Sequence, residues 1–168
     1  MEFKAIFITV VICLSLSIPL WSQVAKPRVQ GIMLEAGGAA PFNSINYFRR
    51  LFSMERIDVY GRVGLGIWSR NLALPLGFYL AMGKNTHQGR LTLAAVPHSD
   101  SFRFWDREAS DIMLDLALGL EYVYQFPNQH FLLSAGAFPY IRLDPAPGLT
   151  VEKSNFGLRP GISLAWIW

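Results

Sequence analysis

The sequence has almost no cysteine and little charge. Its one cysteine, Cys13, lies in the uncharged run from Ala5 to Leu20, so nothing from Gln23 onward can form a disulfide or present a thiolate. Charged residues make up 16% of the chain, below the usual quarter of a soluble protein. The net charge of +3 is spread over single or paired basic residues, with no basic stripe interleaved with aromatics, and this excludes nucleic acid as a partner. After Gln23 no run reaches the length of a helical membrane span. The three histidines, His87, His98 and His130, have no metal-ligand spacing, and Asp100, Asp106, Glu108 and Asp111 lack the ordered frame of a calcium loop. Gly61 to Gly66 has no phosphate-loop lysine, so no cofactor and no metal is expected.

What is present begins with a leader. Met1 to Lys4 carries one lysine, the uncharged run follows, and Pro19, Trp21 and Ser22 close it, which predicts a signal peptide over 1–22 with cleavage after Ser22. An uncleaved anchor is the alternative; lipidation of Cys13 is disfavoured because Ile12 stands where a small residue is needed. The remaining domain is 23–168.

In that domain apolar residues recur with a period of two, which places them on one face of a strand; on a helix they would scatter. Leu72, Leu74, Leu76, Phe78, Leu80 and Met82 alternate with Ala73, Pro75, Gly77, Tyr79 and Ala81. The same holds for Ile112 to Phe126, Ile57 to Trp68 and Leu158 to Trp168. Weaker candidates at Arg28–Ala36, Ser44–Phe52, Gly89–Val96 and His130–Arg142 bring the total to eight. The predicted fold is therefore all-β, an eight-stranded antiparallel up-and-down transmembrane barrel. Ser53–Arg56, Gly83–Gln88 and Phe126–Gln129 read as short periplasmic turns. Pro97–Ser110 and Leu143–Asn155 read as long outer loops, Gly37–Asn43 is intermediate, and Trp68–Asn71 is too tight for its side.

A soluble lipocalin-like barrel would keep its leucines inside and clothe its other face in Lys, Glu, Thr and Asn. Here the other face is mainly Gly, Ala, Ser and Tyr, a poorly solvated surface but a suitable filling for a narrow lumen. With the leucines toward lipid, Glu35, Asp58, Arg62, Arg90, Asp115, Glu121 and Arg159 share the inward parity, four acids and three bases. Buried charges must pair, so an interior salt-bridge network is expected. Trp68, Phe78, Tyr124, Phe126, Phe131, Trp166 and Trp168 are expected in girdles at strand ends, and Arg49 and Arg50 against headgroups or interior acids. Phe102, Arg103, Phe104, Trp105 and Arg107 form the most adhesive candidate patch in the longest loop.

A hydrolase needs a nucleophile within reach of a base. His98 and Ser99 are neighbours that point to opposite sides if extended, and both are expected in the Pro97–Ser110 loop. His130 and Ser134 lie about 13 Å apart along one strand. No catalytic residue is assigned.

The end of the chain, Gly161-Ile-Ser-Leu-Ala-Trp-Ile-Trp168, resembles the closing β-signal of outer-membrane barrels, through Leu164, Trp166 and Trp168; Ser163 and Gly161 depart from the usual glycine position. Ser44-Ile-Asn-Tyr-Phe-Arg-Arg50, Tyr60-Gly-Arg-Val-Gly-Leu-Gly66 and Gly136-Ala-Phe-Pro-Tyr140 resemble small outer-membrane barrels with eight strands, similar to the OmpA transmembrane domain and OmpX. The resemblance implies a Gram-negative outer membrane, with membrane lipid and the barrel-assembly machinery as partners, and carries over nothing about activity. The expectation is a non-enzymatic barrel without an open pore, serving a structural, adhesive or ligand-contact role. The alternatives are a lipid-modifying enzyme of the lipid A deacylase or acyltransferase class, and a soluble periplasmic lipocalin-like binder.

Overall fold

The computed structural model describes residues 29–54, 57–69, 71–84, 86–99, 112–127, 130–145 and 151–168. The expected leader over 1–22 and the expected patch of Phe102, Arg103, Phe104, Trp105 and Arg107 lie outside them.

The period of two becomes strands β1 (Gln30–Gly37), β2 (Ser44–Ser53), β3 (Ile57–Trp68), β4 (Asn71–Ala73), β5 (Leu76–Lys84), β6 (His87–Ser99), β7 (Ile112–Gln125), β8 (Phe131–Pro145) and β9 (Val151–Ile167). All pairings are antiparallel, and β9 returns to β1 through Gly31↔Ile167 to Gly37↔Gly161, which closes the sheet. Closure leaves no unpaired edge strand among the described residues. Gln30 and Trp168 exchange two backbone hydrogen bonds, of 3.2 and 3.0 Å, so this seam brings both ends of the barrel domain to one end of the barrel. We call it the terminus end and the opposite one the loop end.

β4 and β5 are two halves of one barrel strand, which makes eight. Gly66↔Ala73 and Val63↔Leu76 belong to one register across β3, and Leu72↔Ser99 and Leu76↔Ala95 to one register across β6. Between these two halves the ladder is interrupted at Leu74 and Pro75, because proline has no N–H to give. The Pro75 carbonyl still accepts from Gly64 N–H at 2.8 Å, and the Pro97 carbonyl from Leu74 N–H at 2.9 Å.

Two connections differ from the sequence expectation. Pro97, His98 and Ser99 are not loop: β6 continues through them, paired with Leu114, Met113 and Ile112, since a proline costs one donor and not the strand. The expected loop over Leu143–Asn155 is narrower, with β8 running to Pro145 and β9 starting at Val151. The link after Trp68 is as tight as expected: Trp68 pairs with Asn71, and Ser69 stands in the left-handed region at φ 58°.

The two faces are sorted as the alternation requires. Along β7 outward residues alternate with buried ones, and Leu116, Leu118 and Leu120 lie outside while Asp115, Ala117 and Glu121 lie inside. The outward belt continues around the barrel through Ile32, Leu34, Leu93, Leu133, Ile162 and Leu164.

The interior is layered. Near the terminus end Met33, Phe48, Tyr79, Val123, Leu132 and Ala165 pack together, with Tyr60 stacked on Tyr79 at 4.6 Å between ring centres. Toward the loop end Ala73, Ala94, Val96, Ala117 and Phe138 form a second apolar layer. Glycines make the space for it, since a Cβ on Gly119 or Gly161 would overlap the Phe138 ring.

Ala39 and Ala40, from the β1–β2 link, are also fully buried in that second layer. Gly37 and Gly38 have φ of 68° and 80°, a conformation that L side chains rarely adopt, and they turn the link inward so that it stops the lumen.

Candidate functional site

The polar interior resolves into three groups. In the first, Glu35 on β1 and Arg62 on β3 form an ion pair of 2.6 Å with side chains 2% and 1% exposed. Glu35 Oε2 also accepts from Ser44 Oγ at 3.2 Å and Asn46 Nδ2 at 3.4 Å, and Oε1 accepts from the Ala39 N–H at 3.2 Å. Arg62 additionally donates to Asn46 Oδ1 at 3.1 Å. The carboxylate thus ties the inward link to the wall.

In the second group, across the lumen, Arg90 on β6 meets Glu121 on β7 at 3.3 Å. Thr92 Oγ1 at 2.6 Å and Ser134 Oγ at 2.9 Å donate to the two Glu121 oxygens, and the Ser134 and Ser163 hydroxyls are 2.6 Å apart. The Arg90 guanidinium lies 4.5 Å above the Tyr79 ring, so its outer face meets an aromatic surface.

The third group stands at the loop end around Asp115, whose side chain is fully buried. Arg142 Nε donates to Oδ1 at 2.9 Å and Arg142 Nη2 to Oδ2 at 3.2 Å, a two-pronged contact. Arg159 Nη2 donates to Oδ2 at 2.8 Å, and its guanidinium covers the Tyr140 ring at 3.8 Å. His98 Nε2 lies 3.2 Å from Asp115 Oδ1 without an aligned hydrogen bond.

Beside this group a cleft of about 490 Å³ opens at the loop end. Its polar wall is Asn43, Asn71, His98, Ser99 and Arg142. Its apolar wall is Pro41, Phe42 and Met113. It is formed where the inward link leaves space between β4, the end of β6, the start of β7 and β8.

Of the charges singled out from parity, the structure brings together Glu35 with Arg62, Arg90 with Glu121, and Asp115 with Arg159. Asp58 is apart from them at the terminus end, 3.8 Å from Arg50 and 33% exposed. Sequence reasoning missed Arg142, although it shares the inward parity of Ser134, Gly136 and Phe138 on β8. It missed His98 because Pro97 suggested a loop. The hydroxyl and amide partners Ser44, Asn46, Thr92, Ser134 and Ser163 also share the inward parity of their strands.

Aromatics gather at the terminus end. His87 and Tyr122 are hydrogen-bonded, Tyr124 meets Phe126 edge-on at 5.2 Å, and Trp166 lies 5.0 Å from Trp168. Phe126, Phe131, Trp166 and Trp168 face outward there. Phe78 does not belong to that group: it pairs with Gly61 and Leu93 in the middle of its strand, because β4 and β5 together extend well beyond it on both sides. The Trp68 side chain lies outside the described residues. Leu164 joins Trp166 and Trp168 on the outward face of β9, beside the closing seam.

Among the described residues no cluster of His, Cys, Asp or Glu is grouped to hold a metal ion. No protein-family model and no curated protein sequence matches the chain. Among solved structures, the N-terminal β-barrel domain of OprF from Pseudomonas aeruginosa is similar, at 10% sequence identity and a TM-score of 0.54 over 84% of this chain and 96% of that one. At that identity the likeness concerns the fold, and it agrees with the closed seam, the outward leucines and the filled lumen: this chain folds as an outer-membrane-type eight-stranded up-and-down β-barrel.

Proposed function

We propose that the chain is an integral protein of a Gram-negative outer membrane, non-enzymatic and without an open pore, with a structural, adhesive or ligand-contact role at its loop end. The observation that carries this reading is the sorting of the two faces. Leu120, Leu93 and Ile162 are turned outward and more than half exposed, while five charged residues, Glu35, Arg62, Arg90, Asp115 and Glu121, are buried inside. Such a belt is stable in hydrocarbon and unstable in water. The loop end then faces outward and both ends of the barrel domain face the periplasm, as short and long links on opposite sides suggest. Leu164, Trp166 and Trp168 on β9 would present the assembly signal to the barrel-assembly machinery, and membrane lipid covers the belt.

A lumen stopped by Ala39, Ala40 and Phe138 and crossed by two salt-bridge groups supports the absence of a pore. The non-enzymatic reading is supported by the geometry around His98. Asp115, the acid nearest His98, is engaged by two arginines, so it is not held as the orienting acid of a His–Ser pair.

Fractionation of expressing cells with a gel run on heated and unheated samples tests membrane insertion. The expected result is an outer-membrane protein whose mobility changes on heating; a water-soluble protein of unchanged mobility would refute the reading. Planar-bilayer recordings are expected to show no stable large conductance, and a sustained open level would overturn the closed lumen. Lipid A profiles should be unchanged on expression; a deacylated or acylated species would establish the enzymatic alternative.

A further inference from the structure

The three interior charge groups are not balanced alike. Glu35 with Arg62 and Glu121 with Arg90 are each one acid against one base. Among the described residues two arginines face the one carboxylate of Asp115, which leaves at least one positive charge in excess. That group borders the cleft, and two of its members, Arg142 and His98, line it.

We propose that this cleft binds a small organic oxyanion, a carboxylate or phosphate group carrying a short apolar portion. The proposal rests on the ligand-contact reading and names its chemistry. Arg142 uses Nε and Nη2 on Asp115, so Nη1 is outside that fork, and its side chain is 30% exposed where it lines the cleft. Guanidinium is suited to such a group because its donors match an oxyanion in plane and in charge. His98, 7% exposed, lines the same space with its Nε2 3.2 Å from Asp115 Oδ1. Asn43 and Asn71 add amide donors, and Phe42 and Met113 supply a surface for the apolar portion. A cation would be repelled by the excess charge. An apolar ligand would desolvate Arg142 Nη1, the nitrogen outside the Asp115 fork, without giving it an acceptor. The volume of about 490 Å³ is in the range of small-molecule sites.

The test uses the barrel domain folded in detergent micelles, with the heat-modified gel shift as the check of its fold. Calorimetric titration is run with hexanoate, hexyl phosphate and, as the neutral counterpart, hexanol. Both anions are expected to bind saturably at millimolar or lower concentration, and hexanol at least about tenfold more weakly, the loss of a charge-assisted hydrogen bond. Arg142→Gln should weaken the anions by about the same factor. Met113→Trp fills the cleft without changing any charge and should also block them. Anionic phospholipid added to the micelles distinguishes the source: competition with hexanoate assigns the group to lipid headgroups, and its absence to soluble ligands. A barrel with the heat-modified shift that binds neither anion, or that binds hexanol equally well, would overturn the proposal while leaving the membrane reading intact. A chain without the shift would instead refute the membrane reading.

Discussion

Removing either partner of the Glu35–Arg62 pair should destabilise the barrel, and by unequal amounts. Both side chains are 2% exposed or less, so neither charge left alone has water to turn to. Loss of one member of a buried pair costs about 3–5 kcal/mol. In Arg62→Met, Glu35 keeps three neutral donors, from Ser44, Asn46 and the Ala39 N–H, so the cost should fall near the lower bound, about 3 kcal/mol. In Glu35→Leu, Arg62 keeps one acceptor, Asn46 Oδ1, and its Nε is already without a partner. The Ala39 N–H also loses its acceptor, so this variant should lie near the upper bound, about 5 kcal/mol. The double variant Glu35→Leu/Arg62→Met removes both charges and should recover most of the loss. Reversible urea unfolding in lipid vesicles, followed by tryptophan fluorescence, measures all three. Single variants within about 1 kcal/mol of the parent, or a double variant as unstable as Glu35→Leu, would refute a buried pair of this kind.

Two further expectations concern packing and lipid. Gly119→Val places a side chain against the Phe138 ring and should cost about 1–3 kcal/mol, with Phe138→Ala in the same chain relieving part of it; an additive double variant in the same urea assay would contradict the contact. Leu118→Arg, at the middle of the outward belt on β7, should cost about 2–4 kcal/mol in vesicles, and Phe156→Arg, near the loop end of β9, about 0–1; equal costs would argue against a membrane depth difference.

The strands were legible where apolar residues kept strict alternation, as in Ile112 to Phe126, because a period of two fixes both the element and its faces. Parity also put Glu35, Arg62, Arg90, Asp115 and Glu121 on the face that is buried, though Asp58 of the same set lies apart at the terminus end, since parity does not depend on knowing which strand pairs with which. It could not give their partners: Arg62 reaches Glu35 across β2, a consequence of register. Pro97 obscured the end of β6, because the sequence does not disclose that its missing N–H falls where the ladder tolerates it. The inward course of Ala39 and Ala40 was not legible either. Gly37-Gly38 permits such a turn, but only the space above Glu35 and Phe138 decides that the link takes it. The cleft is a product of that same turn, so its lining, drawn from several strands and one link, has no local signature.

The central claim is that the leucine face meets lipid and the small-residue face is closed to it. With Cys13, the chain's one cysteine, replaced by serine, single cysteines can be introduced in turn from Met113 to Leu120 on β7 and spin-labelled in lipid vesicles. Collision with oxygen, which concentrates in hydrocarbon, is then compared with collision with a water-soluble nickel reagent. High oxygen accessibility is expected at positions 114, 116, 118 and 120, with low accessibility to both reagents at 115, 117 and 119. Labels at 116, 118 and 120 that collide with the nickel reagent, or no alternation between the two sets, would contradict it.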